Sequence, residues 1–185
     1  CLAKGDNIGK SVLLLGEHAS ANDINSINKL PIHSKRKFNI PFYFPSWVLN
    51  PFLLKIFNFI FYSSKYSRKT KIIDYDSFFY PLDKIHNWNK MYGKKGFIQY
   101  QFVIPKLNSY DGLKEILEIL SKYQLGSFLA VLKLFGKSHE NRYLHFPIEG
   151  YTLAVDIKIT PNIWTILDFL DDIVNKYNGK VYLTK

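Results

Sequence analysis

The sequence predicts an α+β fold: a ferredoxin-like βαββαβ core with a mainly antiparallel sheet, extended by an irregular apolar N-terminal part. Two observations predict it. Several segments alternate in polarity at every second residue, as strands do, and two others repeat apolar residues at three- and four-residue spacing, as helices do. From residue 96 onward these segments follow in the order strand, helix, strand, strand, helix, strand. We expect both helices on one face of the sheet, which leaves the other face open.

The first strand and helix of this core are predicted within residues 97–126. Alternation indicates a strand at 97–104. Asn108 or Ser109 can cap the next helix, because a short polar side chain accepts hydrogen bonds from the free backbone amides there. Gly126 is expected to end the unit. The apolar stripe of the helix consists of Leu113, Ile116, Leu117 and Leu120.

The remaining core elements are predicted in the same way. Further strands are expected at 127–135, 151–159 and 180–184. The Thr160-Pro161 pair marks the start of the second helix, since proline is tolerated in the first helical turn, and Asn178-Gly179 marks its end. The apolar residues assigned to this helix are Ile163, Trp164, Leu167, Leu170, Ile173, Val174 and Tyr177.

The N-terminal part is less regular. The chain is expected to divide into an initial strand region at 1–17, a basic and apolar loop region at 18–75 and the α+β core at 76–185. Within these, a strand is predicted at 11–15 and a short helix at 51–62. The segment 40–62 is nearly all apolar, but prolines and polar residues interrupt it, whereas a spanning helix needs about 20 apolar residues in a row. We therefore do not expect a transmembrane helix.

The composition is that of a globular protein with a basic excess. The chain is 47% apolar and 22% charged, which excludes disorder throughout, and its 15 Phe, 13 Tyr and 3 Trp supply large side chains for a core or for stacking on a ligand. Through Tyr75 there are 11 Lys and Arg against 4 Asp and Glu, which is +7 of the formal charge of +10. Such a bias is typical of proteins that meet nucleic acid, anionic lipid or a phosphorylated substrate, and also of solubility by itself.

The sequence lacks the residues that several types of site require. Cys1 is the single cysteine, so an internal disulfide is excluded, which fits a reducing compartment. The five histidines are scattered, and no metal site is expected. Neither G-x-G-x-x-G nor a Walker A pattern occurs, and the Gly- and Lys-containing segment 93–96 is interpreted as a turn.

Chemically useful side chains share one parity in three predicted strands. They are Gln99 and Gln101, then Lys133 and Phe135, then Thr152, Ala154, Asp156 and Lys158. Lys133 interrupts an apolar strand, so its ammonium is expected to meet a partner, solvent or a ligand anion. A lysine beside two amides suits a polar ligand, such as a phosphate or a developing alkoxide, although the amides also suit an ordinary solvent-facing sheet.

Five segments resemble one enzyme family. They are CLAKGDNIGKSVLLLGEH, FFYPLDKIHNWNKMYGKKGFIQYQFVIP, SFLAVLKLFG, FPIEGYTLAVDI and GKVYLTK. The chain resembles the flavin-dependent decaprenylphosphoryl-β-D-ribose oxidases, within the vanillyl-alcohol-oxidase type of FAD-linked oxidases. The resemblance covers nearly the whole chain and is most specific from Phe78 onward.

The resemblance implies a substrate-binding domain, 1–185, of an FAD-dependent oxidoreductase acting on CH-OH groups. The FAD-binding domain would precede Cys1 and resume near Lys185, so we expect a fragment that is inactive by itself. The family oxidises the 2′-hydroxyl of polyprenylphosphoryl-β-D-ribose and passes hydride to FAD. A short-chain-dehydrogenase-type reductase partner then completes epimerisation to arabinose for cell-wall precursor synthesis.

The resemblance also implies roles for individual residues. The catalytic residues would be Lys185, Gln101 and Lys133. The cofactor would contact Gln99, Gln101, Tyr182 and Lys185. The substrate would contact Phe79, Leu82, Lys133, Phe135, Thr152 and Ala154. A basic group beside the sugar hydroxyl favours its deprotonation as hydride leaves, while amides fix its orientation.

Four positions depart from the family's pattern. Ala154 replaces a cysteine, Thr152 and Ala130 replace asparagines, and Phe79 replaces a tyrosine. The site is therefore less polar, which leaves the glycosyl substrate open. An FAD-dependent oxidase of another sugar alcohol or an aldonolactone is one alternative. A non-catalytic basic binding module is another, although the strands lack the RNA-binding signature, and no nucleic-acid partner is expected.

Basic residues bracket the apolar segment 40–62. They are Lys35, Arg36 and Lys37 before it, and Lys65, Arg68, Lys69 and Lys71 after it. Its helix could cover the sheet edge as part of the core, or form an interfacial patch that meets lipid or a lipid-tailed substrate. We expect a peripheral protein at the cytoplasmic or periplasmic face of the inner membrane, with the cytoplasmic face favoured.

Overall fold

The computed structural model describes residues 9, 11–13, 15–20, 38–45, 48, 51–65, 70–79, 85–125, 127, 130–137 and 145–183. The helices are α1 (Pro51–Lys65), α2 (Tyr75–Phe79), α3 (Ser109–Lys122) and α4 (Ile163–Lys176), with a 3-10 helix at Trp88–Tyr92. The strands are β1 (Phe38–Asn39), β2 (Ile85–His86), β3 (Phe97–Pro105), β4 (Ala130–Phe135), β5 (Gly150–Lys158) and β6 (Lys180–Val181).

A four-stranded antiparallel sheet organises the C-terminal part of the chain. Its strand order is β4-β5-β3-β6, so β4 and β6 are the edges. Gln101 lies opposite Ala154, Thr152 lies opposite Lys133, and all described pairings in this sheet are antiparallel. The predicted α+β class with an antiparallel sheet is confirmed. Strands β1 and β2 form a separate two-stranded parallel sheet.

One face of this sheet forms the hydrophobic core with α3 and α4. The sheet supplies Ile98, Tyr100, Phe102, Ile104, Leu153, Val155 and Ile157, and the helices supply Ile116, Leu120, Ile163, Leu167, Leu170, Ile173 and Val174. Each fully buried side chain of this kind stabilises the fold by about 1.5–3 kcal/mol. On the opposite side of the strands Val103, Thr152 and Asp156 are also buried, so the face predicted to be open is only partly exposed.

Helices α3 and α4 end in the same type of turn. Gln124 and Asn178 adopt left-handed conformations with φ of 57° and 55°. Leu125 and Gly179 then donate their backbone N–H groups back to helix carbonyls at 2.9 and 2.8 Å, as in a Schellman motif. The predicted end of α4 is confirmed, but α3 turns at Gln124 rather than at Gly126, which lies outside the described residues.

The structure differs from the prediction at the start of α4, at one of its side chains and at the end of β6. Helix α4 begins at Ile163 after Asn162, not at the Thr160-Pro161 pair. Trp164 does not join its buried face and is 56% exposed, because it lies about 100° around the helix from buried Ile163. Strand β6 ends at Val181 rather than 184, although the next residue still donates one backbone hydrogen bond to β3.

The N-terminal predictions have mixed outcomes. The strand predicted at 11–15 is wrong for the described residues 11–13 and 15, which have no regular structure. An apolar run needs a pairing strand to form a ladder, and here Leu13 and Leu15 stay more than four-fifths exposed. The short helix is confirmed as α1 and extends to Lys65. Within the described part of the chain, no helix is long and apolar enough to cross a membrane.

Candidate functional site on the sheet

The strand register brings the predicted polar side chains to the face opposite the helices. Paired residues of an antiparallel ladder project to the same side, so Gln101 with Ala154 and Thr152 with Lys133 share this face. We name it the site face. It comprises Phe97, Gln99, Gln101 and Val103 of β3, Val131, Lys133 and Phe135 of β4, and Thr152, Ala154, Asp156 and Lys158 of β5. The parity predicted from alternation is confirmed.

Both glutamines of the site face are anchored to strand β5. Gln101 Nε2 donates to Thr152 Oγ1 at 3.2 Å, and Gln99 Nε2 donates to Asp156 Oδ1 at 3.0 Å. Thr152 is buried, and its hydroxyl donates in turn to the Phe102 carbonyl oxygen at 2.8 Å. Each amide also carries a second N–H and a carbonyl oxygen, which is the capacity that a polar ligand requires. The anchors therefore orient the amides without using all of their hydrogen-bonding groups.

Asp156 is a buried carboxyl group beneath one of these amides. Its side chain is 1% exposed, and its Oδ2 has no hydrogen-bond partner among the described residues. Burial raises the pKa of Asp156, while the hydrogen bond from Gln99 partly opposes that rise. Sequence reasoning placed Asp156 on this face but not among the site residues. The available signal was its acidic side chain in an otherwise apolar strand.

An aromatic cluster lies at the Asp156 end of the site face. The ring of Phe97 lies 4.8 Å from that of Trp88 and 4.6 Å from that of Tyr92, centroid to centroid. Burial raises the pKa of the Tyr92 hydroxyl well above its ordinary value, and the nearby charge of Asp156 adds to this rise. The 3-10 helix thus supplies two large rings beside the start of β3.

A second aromatic group lies at the opposite end. The Phe146 ring contacts Phe135 edge-on at 6.1 Å and Tyr182 at 5.0 Å, centroid to centroid. The Tyr182 backbone N–H donates to the Gln101 carbonyl oxygen at 2.8 Å, which holds this group beside β3. Phe146 therefore links two predicted site residues. Sequence reasoning missed it, because it follows a polar loop where no periodicity indicates direction.

Lys133 lies on the edge strand β4 and its side chain is exposed. Its neighbours Leu132 and Leu134 project to the other side of the strand and are 55% and 56% exposed. The ammonium therefore reaches solvent in this chain, directly across the ladder from Thr152. A cation presented at the exposed rim of a polar face can meet an anionic ligand group.

Of the three remaining predicted site residues, Phe79, Leu82 and Lys185, the structure describes Phe79. Phe79 lies on α2, is 59% exposed, and contacts Phe78 with a centroid distance of 5.1 Å. Leu82 and Lys185 lie outside the described residues, so their assigned positions stay predictions. Among the residues that the structure describes, no group of three His, Cys, Asp or Glu side chains could hold a metal ion.

The chain is similar in sequence to an oxidoreductase. No protein-family profile matches it. The decaprenylphosphoryl-beta-D-ribose oxidase of Mycolicibacterium smegmatis is 29% identical to it over 187 residues, an alignment that spans all of this chain and 40% of that oxidase. The resemblance noted in the sequence is thereby confirmed. The chain corresponds to less than half of the length of this relative.

Proposed function

We propose that this chain is the substrate-binding domain of an FAD-dependent oxidoreductase that oxidises the 2′-hydroxyl of polyprenylphosphoryl-β-D-ribose. The observation that carries the proposal is the convergence of Gln99, Gln101, Lys133 and Phe135 on one sheet face. These are residues that the resemblance assigns to the site. Similarity to the ribose oxidase along the whole chain supports the same reading.

The arrangement of the core is proposed to be ferredoxin-like. Strand order β4-β5-β3-β6, with α3 and α4 contributing to one hydrophobic core, supports this arrangement. In such a fold the sheet carries helices on one face and a ligand on the other. The site face is then the natural surface for the sugar and the cofactor.

The residues of the site face fit FAD as the cofactor. FAD, bound mainly by protein outside this chain, would supply the hydride acceptor. Gln99 and Gln101 offer oriented amide donors and acceptors for the polar edge of a flat ring system, and Tyr182 offers an aromatic surface beside them. Lys185 is proposed to contact the same group.

The protein side chains would prepare the sugar hydroxyl for oxidation. Lys185 is proposed to accept the 2′-hydroxyl proton at Nζ, and Gln101 to fix the direction of that hydroxyl by hydrogen bonding. Lys133 would place a positive charge near the phosphate or the developing alkoxide. Phe135, Thr152 and Ala154 would shape the pocket, with the Phe146 ring behind Phe135.

The proposed product determines the proposed partner. Oxidation of the 2′-hydroxyl leaves a ketone, and its reduction from the opposite side yields the arabinose configuration. We therefore propose a short-chain-dehydrogenase-type reductase as the partner. We also propose a peripheral location at the cytoplasmic face of the inner membrane. No observation favours the alternative alcohol substrates or the non-catalytic basic module.

The test uses the full-length protein that contains this segment. After purification, its flavin absorbance is followed during anaerobic addition of polyprenylphosphoryl ribose. We expect the flavin absorbance to bleach in the wild type and in Lys114→Ala, a matched control on the exposed side of α3, and to persist in Lys185→Ala. A bound flavin that responds to an aldonolactone but not to this sugar would refute the proposed substrate. Absence of flavin would refute the proposed oxidase activity.

A further inference from the structure

We propose that an apolar stripe on helix α1 binds an anionic lipid surface. The stripe consists of Phe52, Ile56, Phe59 and Ile60. The inference rests on the surface of α1 and does not depend on the oxidase proposal. Its occupant is the headgroup and acyl boundary of a bilayer, which an amphipathic helix meets lying in the plane of the interface.

The stripe is continuous along one side of the helix. Its four members lie within an arc of about 100°, given 100° of rotation per residue. Their exposed fractions are 69%, 41%, 73% and 60% in chain order. Leu53 lies next to Ile60 at one edge of the stripe, Asn58 and Tyr62 lie beyond Phe59 at the other, and all three are half-buried. The stripe is therefore bordered by half-buried side chains and presents four large apolar side chains outward.

This exposure separates the two interpretations of the apolar segment. Phe52 and Phe59 are about seven-tenths exposed, so the stripe is not a helix face that covers the sheet edge. None of the α1 residues whose side chains the structure describes belongs to the buried cluster that α3, α4 and the sheet form. Exposed apolar patches of this kind mark binding surfaces.

The charge around the stripe favours an anionic partner. Helix α1 contains no acidic residue, and its exposed Lys55 flanks the stripe beside Phe59. Residues 35–74 contain eight Lys and Arg but one acidic residue, Asp74. Basic side chains at the border of an apolar surface extend to phosphate headgroups while their stems stay in contact with the acyl region.

Lipid suits this surface better than a folded protein partner. The four side chains of the stripe carry no hydrogen-bonding group, whereas protein interfaces need direct hydrogen bonds as well as apolar contact. Apolar exposure also continues beyond the helix, since Ile72 and Ile73 are 68% and 54% exposed next to Lys71. A bilayer accepts such a surface without any matching shape.

The experiment measures flotation of the full-length protein with vesicles. The vesicles contain phosphatidylcholine with or without phosphatidylglycerol, at low and high salt. The test variant carries Phe52→Ser, Ile56→Ser and Phe59→Ser. The matched control carries Tyr110→Ser, Trp164→Ser and Phe169→Ser, which replace comparably exposed side chains on α3 and α4. Thermal unfolding of both variants checks that each remains folded.

We expect binding to the phosphatidylglycerol vesicles that weakens at high salt, is retained in the control and falls by at least about tenfold in the test variant. Equal binding by the test variant would overturn the proposal, as would equal binding to neutral vesicles. A self-association that the test variant loses, without vesicle binding by the wild type, would instead identify a protein interface. Flavin bleaching by a short-tailed soluble substrate should persist in the test variant, so the two proposals fail separately.

Discussion

Replacing Asp156 with asparagine is expected to stabilise the protein at neutral pH. The wild-type carboxylate is buried, accepts one hydrogen bond from Gln99, and has a second oxygen without a partner among the described residues. Asparagine has nearly the same shape, carries no charge and can still accept from Gln99. A buried charge that is incompletely hydrogen-bonded opposes folding, so its removal should raise the free energy of unfolding.

The expected magnitude is the difference between a buried charge and a buried neutral amide, since the asparagine NH2 group would take the place of Oδ2 and would also lack a partner among the described residues. A buried polar group without a partner costs about 1–3 kcal/mol, and a charged group costs more. We therefore expect Asp156→Asn to raise the free energy of unfolding by about 1–3 kcal/mol at pH 8. For a protein of this size, each kcal/mol corresponds to about 2–4 °C in Tm. Denaturant and thermal unfolding can both resolve that difference.

The gain should depend on pH in a defined direction. The folded pKa of Asp156 is raised, while the unfolded value is about 3.9. Between these values the folded state binds more protons, so wild-type stability falls as pH increases toward the folded pKa. Below the unfolded pKa the carboxyl is neutral in both states, and the advantage of asparagine should vanish.

Unfolding of both proteins from pH 3 to pH 8 tests this reasoning, with Asp168→Asn on the exposed face of α4 as the matched control. The control should differ little from the wild type at any pH. An Asp156→Asn protein that is less stable than the wild type at pH 8, or that shows the same difference at every pH, would refute the argument from burial.

Three further predictions concern the sheet and its site. Gly150→Ala should lower the free energy of unfolding, measured in urea, by about 1–3 kcal/mol, because a Cβ there would overlap the Ile104 carbonyl oxygen of the paired strand. Unchanged stability would contradict this register. Tyr100→Phe should lower the free energy of unfolding by about 1.5–3 kcal/mol, since the tyrosine hydroxyl donates to the Asp171 carboxylate at 2.7 Å. An unaltered Tm in thermal unfolding would show that this hydrogen bond does not stabilise the fold. Lys133→Gln in the full-length protein should raise KM for a phosphorylated sugar by about tenfold, with a smaller change in kcat. An equal loss of kcat would instead indicate that Lys133 acts in the chemical step.

The faces of the strands were predictable because side-chain direction alternates with period two. Gln101, Lys133 and Thr152 lie on the side that alternation indicated, and the register then sets them next to one another. The end of α4 was also predictable, since Asn and Gly adopt the left-handed conformation at little cost. Local rules of this kind need no knowledge of the rest of the fold.

Features that depend on packing or pairing were not predictable in the same way. The hydrogen bond from Gln99 to Asp156 requires the register of β3 against β5, which no single segment encodes. Trp164 matched a helical stripe, but the docking of α4 directs a neighbouring side of the helix inward. Phe146 contacts Phe135 from a loop, where no sequence periodicity indicates the direction of a side chain.

The two anchored amides have a thermodynamic consequence for ligand binding. A long polar side chain that becomes fixed loses up to about 1.5–2 kcal/mol of rotamer entropy. Because Gln99 and Gln101 are held by side chains of β5, most of that freedom is lost when the protein folds and not when a ligand arrives. The affinity of this face for a polar ligand would thereby be coupled to the integrity of β5, so a substitution that loosens this strand should weaken binding without touching the ligand.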